Sequence, residues 1–199
     1  CDDCAGVPNG TDLDASLNLS QGNNLVSFHA MPENTSLGSV FGDLDLMGVI
    51  GEGSAAASVD GTWYGSLDTV DATSGYWVQS NVEGTVDVCG DPADDVVYTL
   101  HDANNLLSYS YGESQAIGDA LPDDVEDEVF AIVGEGVASI NLGGMWAGSL
   151  DSFDAGSGYW FARSADAADI TFQYNAPSAG DARLLSNELP VVPEEYVYN

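Results

Sequence analysis

Apolar and polar positions alternate along this chain in short runs, each bounded by glycine, asparagine, aspartate or proline. Leu17 and Leu19 alternate, Gly22-Asn23-Asn24 supplies a turn, and Leu25 to His29 continues as a second run. This stretch predicts a hairpin. Ser36 to Leu44 places apolar residues at helical spacing behind a serine able to cap, which predicts a short helix stopped near Gly42. LMGVIGEG predicts a buried strand closed by the turn Gly51-Glu52-Gly53. A strand through Trp63, an Asp-rich turn, a strand on Gly75-Tyr76-Trp77 and an alternating strand over EGTVDVCG complete the series. In the last of these Val86 and Val88 share the inward face, so Cys89 falls on the other face.

The whole pattern then recurs. GTWYGSLDTVDATSGYW, Gly61 to Trp77, returns as GMWAGSLDSFDAGSGYW, Gly144 to Trp160, at a constant offset of 83 residues. The same offset matches Gly51-Glu52-Gly53 with Gly134-Glu135-Gly136, and VVYTLHDANNLLSYSY opens the second copy as SLNLSQGNNLVSFHA opens the first. SQAIGDALPDDV, Ser114 to Val125, is the counterpart helix, with Pro122 as its stop. The expected fold is mainly β: two tandem pseudo-repeat units, sandwich or barrel-like, each with one short helix. The boundaries follow the repeat: an acidic Cys-containing arm over 1–16, read as a loop or linker, units over 17–92 and 93–175, and an extended tail over 176–199. Trp63, Trp146, Tyr76-Trp77 and Tyr159-Trp160 stand in both copies beside Gly65, Gly148, Gly75 and Gly158. That equality reads as folding signature, with the glycines allowing tight packing against the rings.

Charge changes the picture more than length does. The 199 residues hold 33 acids and 2 bases, a net charge of −31, and the bases are Arg163 and Arg183. Nucleic acid and anionic membrane surfaces are excluded as partners, because phosphates are met by Lys and Arg clusters. No apolar run is long enough to span a bilayer, so direct membrane insertion is not expected. Self-repulsion of such a surface is damped where salt shortens the screening length to roughly 5 Å or less, or where divalent cations bind.

Candidate chemistry is sparse. Asp2 and Asp3 in the arm, with Asp68, Asp71, Asp151 and Asp154 in the repeated SLDxxDAxSG loops, are candidate Ca²⁺ ligands, since calcium takes six to eight oxygens from flexible loops. The same aspartates, placed before Ser or Ser-Gly, also suit capping of their own turns, and both readings stand. Cys1, Cys4 and Cys89 predict one disulfide and one remaining thiol in an exported protein. His29 and His101 fall at different places in their units, and neither joins a Ser or Cys nucleophile motif. An enzyme is therefore not expected. The segment Ser54 to Asp60, against Val137 to Gly143, is where the copies diverge and where an unshared function would lie.

NNLVSF, GVIGEG, W-x-GSL and GYW in tandem resemble modules of large secreted or cell-surface proteins of marine bacteria. The leading DDCAGVPNGT is similar to the calcium-binding linkers known as thrombospondin type 3 repeats. The resemblance implies an exported, modular, non-catalytic protein of the cell surface or extracellular matrix. The expected function is that of a structural protein that self-assembles as a filament, sheet or surface layer. Its partners would be copies of itself or neighbouring modules, joined with the help of divalent cations. The tail residues Leu189, Val191, Val192, Tyr196 and Tyr198 are β-prone and interrupted by Pro190 and Pro193, which suits addition to an open sheet edge. The alternative is a carbohydrate-binding or adhesive module that presents Trp63, Trp146 or the Tyr-Trp pairs to a glycan.

Overall fold

The computed structural model describes residues 4–8, 10–93 and 95–177. Asp2, Asp3, Cys1 and the tail residues Leu189, Val191, Val192, Tyr196 and Tyr198 lie outside the described residues. The protein is mainly β, with antiparallel sheets and three short helices. The first unit runs β1 (Leu13–Leu19), β2 (Gly22–Val26), β3 (Ala30–Met31), α1 (Leu37–Phe41), β4 (Leu46–Gly51), β5 (Ser54–Val59), β6 (Thr62–Gly65), β7 (Tyr76–Ser80) and β8 (Gly84–Pro92). The second runs β9 (Tyr98–Leu100), β10 (Asn104–Ser108), β11 (Gln115–Ala116), α2 (Ile117–Ala120), α3 (Asp123–Glu126), β12 (Ala131–Val133), β13 (Ala138–Asn141), β14 (Trp146–Gly148), β15 (Ser152–Phe153), β16 (Gly158–Ala162) and β17 (Ile170–Phe172).

Each unit packs a five-stranded sheet on a smaller layer. The strand order β2-β7-β4-β5-β6 in the first is repeated as β10-β16-β12-β13-β14 in the second. The opposing layer is β1-β8-β3 in one and β9-β17 in the other. Between the layers lie separate cores: Leu17, Phe28, Phe41, Val49 and Val78 with their neighbours in the first, Tyr98, Tyr109, Phe153, Phe161 and Tyr174 with theirs in the second. Val86 and Val88 are buried and Cys89 is half-buried. Cys4 and Cys89 form a disulfide across 85 residues.

Four expectations are corrected. The hairpin between the first two strands does not form, because β1 pairs with β8 and β2 pairs with β7. Asn24 explains why: its side chain accepts the Ser20 N–H and donates to the Ser20 carbonyl, at 2.7 and 2.9 Å, so the chain turns a corner from one layer to the other. Asn105 makes the same two bonds to His101. The stretch expected as an arm already enters β1 at Leu13, opposite Gly90, because β8 offers a partner along its full length. The second unit carries two helices where one was expected. Leu121 is held extended, at ψ 138°, by the proline that follows, and Pro122 then opens α3 instead of ending the helical stretch. Finally, Gly65 and Gly148 approach backbone, not rings. A Cβ on Gly65 would stand 2.1 Å from the Ala55 carbonyl oxygen, and one on Gly148 the same distance from that of Ala138.

The units are joined by reciprocal contacts. Glu52 accepts the Leu106 N–H at 2.7 Å, while Glu135 accepts the Leu25 N–H at 2.8 Å. The edge of β2 meets Gly156 and Ser157, and the edge of β10 meets Thr73 to Gly75. Buried Ser27 donates to the Ser157 carbonyl and buried Ser108 to that of Ala72. Gly75 and Gly158 face each other here, a Cβ on Gly158 falling 3.2 Å from the Gly75 Cα. The repeated GEG and GYW motifs thus build a joint between copies as well as a fold within each.

Candidate functional site

The repeated aspartates serve their own loops first. Asp71 Oδ1 accepts from the Thr73 N–H and hydroxyl at 2.9 and 2.8 Å, and Oδ2 accepts from Ser74 and from the Tyr76 phenol. Tyr76 in turn accepts the Asp71 N–H, and Tyr159 accepts that of Asp154. Burial, with the neighbouring aspartate, raises the pKa of both phenols, which keeps them protonated as staples. Asp154 Oδ1 accepts from Ser114. Asp68 and Asp151 contribute through their backbone: their carbonyls accept the Leu37 and Ile117 N–H groups at the starts of α1 and α2. Among the described residues no three His, Cys, Asp or Glu side chains converge in a metal-holding group.

His101 bridges to the other unit. Its Nδ1 meets the Asp102 carbonyl at 2.6 Å and its Nε2 meets Glu52 at 2.5 Å, so neither nitrogen is left for a hydroxyl. The bond to the Asp102 carbonyl raises its pKa most, desolvation opposes that rise, and Glu52 adds to it. Burial lowers that of His29.

The two corners holding Trp63 and Trp146 differ most between the units. Trp63 is half-buried on Phe41, with ring centroids 6.1 Å apart, and lines a cleft of about 470 Å³. The cleft runs between the link from α1 to β4, residues 42–45, and the hairpin of β5 and β6, whose Asp60-Gly61 turn has both residues at positive φ. Asp43, Asp45, Ser58, Asp60 and Asn81 supply its polar wall, and Asn81 donates to Asp45 Oδ1 at 2.7 Å. In the second unit the same link is longer, 121–130, and contains α3. The Trp146 indole donates to Glu126 at 2.6 Å, and Asn141 donates to the Glu126 and Val129 carbonyls. At the repeat offset Asn141 corresponds to Ser58. The partners that hold α3 in one copy therefore have counterparts that line an open cleft in the other, and the divergent segment Ser54 to Asp60 contributes two of that cleft's residues.

A second shared feature is the outer face of each five-stranded sheet. Met47, Ile50 and Val59 are exposed there, and so are their counterparts Phe130, Val133 and Leu142, all six between 41 % and 57 %, with Phe130 and Leu142 just beyond the ends of β12 and β13. Half-buried Trp77 pairs with Ile50 across strands, and Trp160 with Val133. Beyond them β6 and β14 are sheet edges that no other strand covers among the described residues.

Sequence reasoning passed over Arg163. It lies in β-sheet flank after β16 where the first unit has Ser80, and its guanidinium is buried. It donates to the carbonyls of Leu100, His101 and Ala168 and to Glu128 at 3.2 Å, tying together segments that share no motif. A lone cation in so acidic a unit was the available signal. Glu52 and Glu135 were visible as a repeated pair, but their joint contacts were not.

No protein-family model, curated protein or solved structure matches this chain.

Proposed function

We propose that the chain is a non-catalytic extracellular structural module that assembles with copies of itself or with neighbouring modules of a surface protein. The observation that carries this reading is the matched pair of outer faces. Three large apolar residues at the same repeat positions are exposed in both copies, on a chain of charge −31. Apolar patches repeated on so polar a surface mark contact faces. The open edges of β6 and β14 add backbone groups for strand addition, and the tail residues Leu189, Val191, Val192, Tyr196 and Tyr198 have the β-prone character to fill them. Divalent cations between subunits offset the repulsion, with exposed aspartates such as Asp68 and Asp151 among the available oxygens. A disulfide fits an oxidising, extracellular setting.

Light scattering and negative-stain micrographs of the purified chain, with and without excess Ca²⁺, test this. Ordered multimers that grow with Ca²⁺ and are lost in the double variant Ile50→Glu, Val133→Glu are expected. A chain that stays monomeric in excess Ca²⁺, and is unchanged by deletion of 176–199, contradicts it.

A further inference from the structure

The outer faces share only Met47 with the Trp63 cleft, which lies beside the link that holds α3 in the second unit. We propose that this cleft binds a neutral oligosaccharide, a pyranose ring lying against the Trp63 indole with its hydroxyls donating to the Asp43, Asp45 and Asp60 carboxylates and to Asn81.

Volume is the first support, since about 470 Å³ lies within the range of small-molecule sites. The second is the wall chemistry. One side is an aromatic ring already held by Phe41, which limits the ordering cost of stacking on it. The other side bears carboxylate and amide oxygens, acceptors for a ligand rich in hydroxyl donors. A pyranose offers both surfaces at once: a C–H face for the ring and a rim of hydroxyls. The third is the internal control. In the second unit the indole N–H is engaged by buried Glu126 and the corner is occupied by α3, whereas the Trp63 indole meets no acceptor among the described residues. The charge then narrows the class. Uronic-acid and sulfated glycans are repelled by these carboxylates and by the surface as a whole, which leaves neutral chains.

Titration calorimetry on the full chain, with cellohexaose, mannohexaose and chitohexaose, tests the site. Hexagalacturonate and spermidine serve as the anionic and cationic comparisons. Saturable binding of at least one neutral hexaose is expected, with affinity lowered ~10-fold or more in Trp63→Ala. Because Trp63 also packs on the core, two further variants leave its ring in place: Asn81→Ala removes a polar partner, and Ser58→Arg fills the cleft and pairs with its carboxylates. Both should weaken hexaose binding while the near-ultraviolet circular dichroism stays unchanged. Absence of heat for all three neutral hexaoses at ~10 mM overturns the proposal. So does binding of spermidine alone, which would make the cleft a cation site, and so does hexaose binding that Ser58→Arg leaves intact.

Discussion

The Trp63 and Trp146 corners begin from the same sequence, W-x-GSL on an edge strand, and end in different structures. In the second unit the link after the helix is long enough to make α3, and Trp146 and Asn141 hold that helix in place. In the first unit the link is short, and Trp63 and Ser58 border a cleft. A duplicated unit thus keeps its folding positions and changes a corner by the length of one loop, which is the cheapest place to change. The large sheets stay matched: the same strand order, the same Asn corners, and one joint in which each copy's glutamate reaches the other's backbone.

Variants can break or sharpen that comparison. The largest effect should come from a feature only the first unit has. Cys89→Ala opens an 85-residue loop, and loop-closure entropy puts the loss at about 4.5 kcal/mol of stability, read from denaturant unfolding. A smaller loss would mean that pairing of β1 with β8 already fixes the arm. Next, Gly65→Ala and Gly148→Ala should each cost about 2–3 kcal/mol, since either methyl meets a carbonyl oxygen. Sharply unequal costs would show that the copies are not equivalent at their shared positions. Trp146→Phe should then cost about 1–2 kcal/mol, because Glu126 loses its donor in a buried place, while Trp63→Phe has no such bond to lose. Equal thermal shifts for the pair would remove the distinction between plugged and open corners.

The smallest effect concerns the joint. His101 faces Glu52, whereas the matching position beside Glu135 is Ser20. A histidine whose folded pKa is raised contributes stability that is fully present below the unfolded value of about 6.5 and is lost as pH rises through the folded pKa. The exposure of the pair limits this to a few tenths of a kcal/mol. His29 acts in the opposite sense, its lowered pKa costing stability as pH falls. The difference between wild type and His101→Ala across pH 5 to about 8 therefore isolates the joint. A flat difference would show that His101 adds nothing there.

Strands were legible wherever one face is buried, as at Leu17 and Leu19 or Val86 and Val88, because period-two alternation survives any choice of partner. Partners were not legible. Whether Gly22-Asn23-Asn24 makes a hairpin or a corner depends on which backbone groups the Asn24 side chain reaches, and both outcomes fit the same residues. The glycines at 75 and 158 read as packing positions, yet what they pack against lies in the other copy. Of the cleft, the sequence showed the Trp and the divergent segment, but the missing α3 was hidden, since loop length says nothing of what a loop fills. Arg163 reaches three segments, 100–101, 128 and 168, that periodicity cannot relate.

Hydrogen exchange of the indole N–H groups, followed by nuclear magnetic resonance and assigned with Trp63→Phe and Trp146→Phe, tests the difference between the corners most directly. The Trp146 proton should be protected by its bond to Glu126, and the Trp63 proton should exchange rapidly with water. Equal protection of the two, or faster exchange at Trp146, would contradict an open corner in one copy and a plugged one in the other.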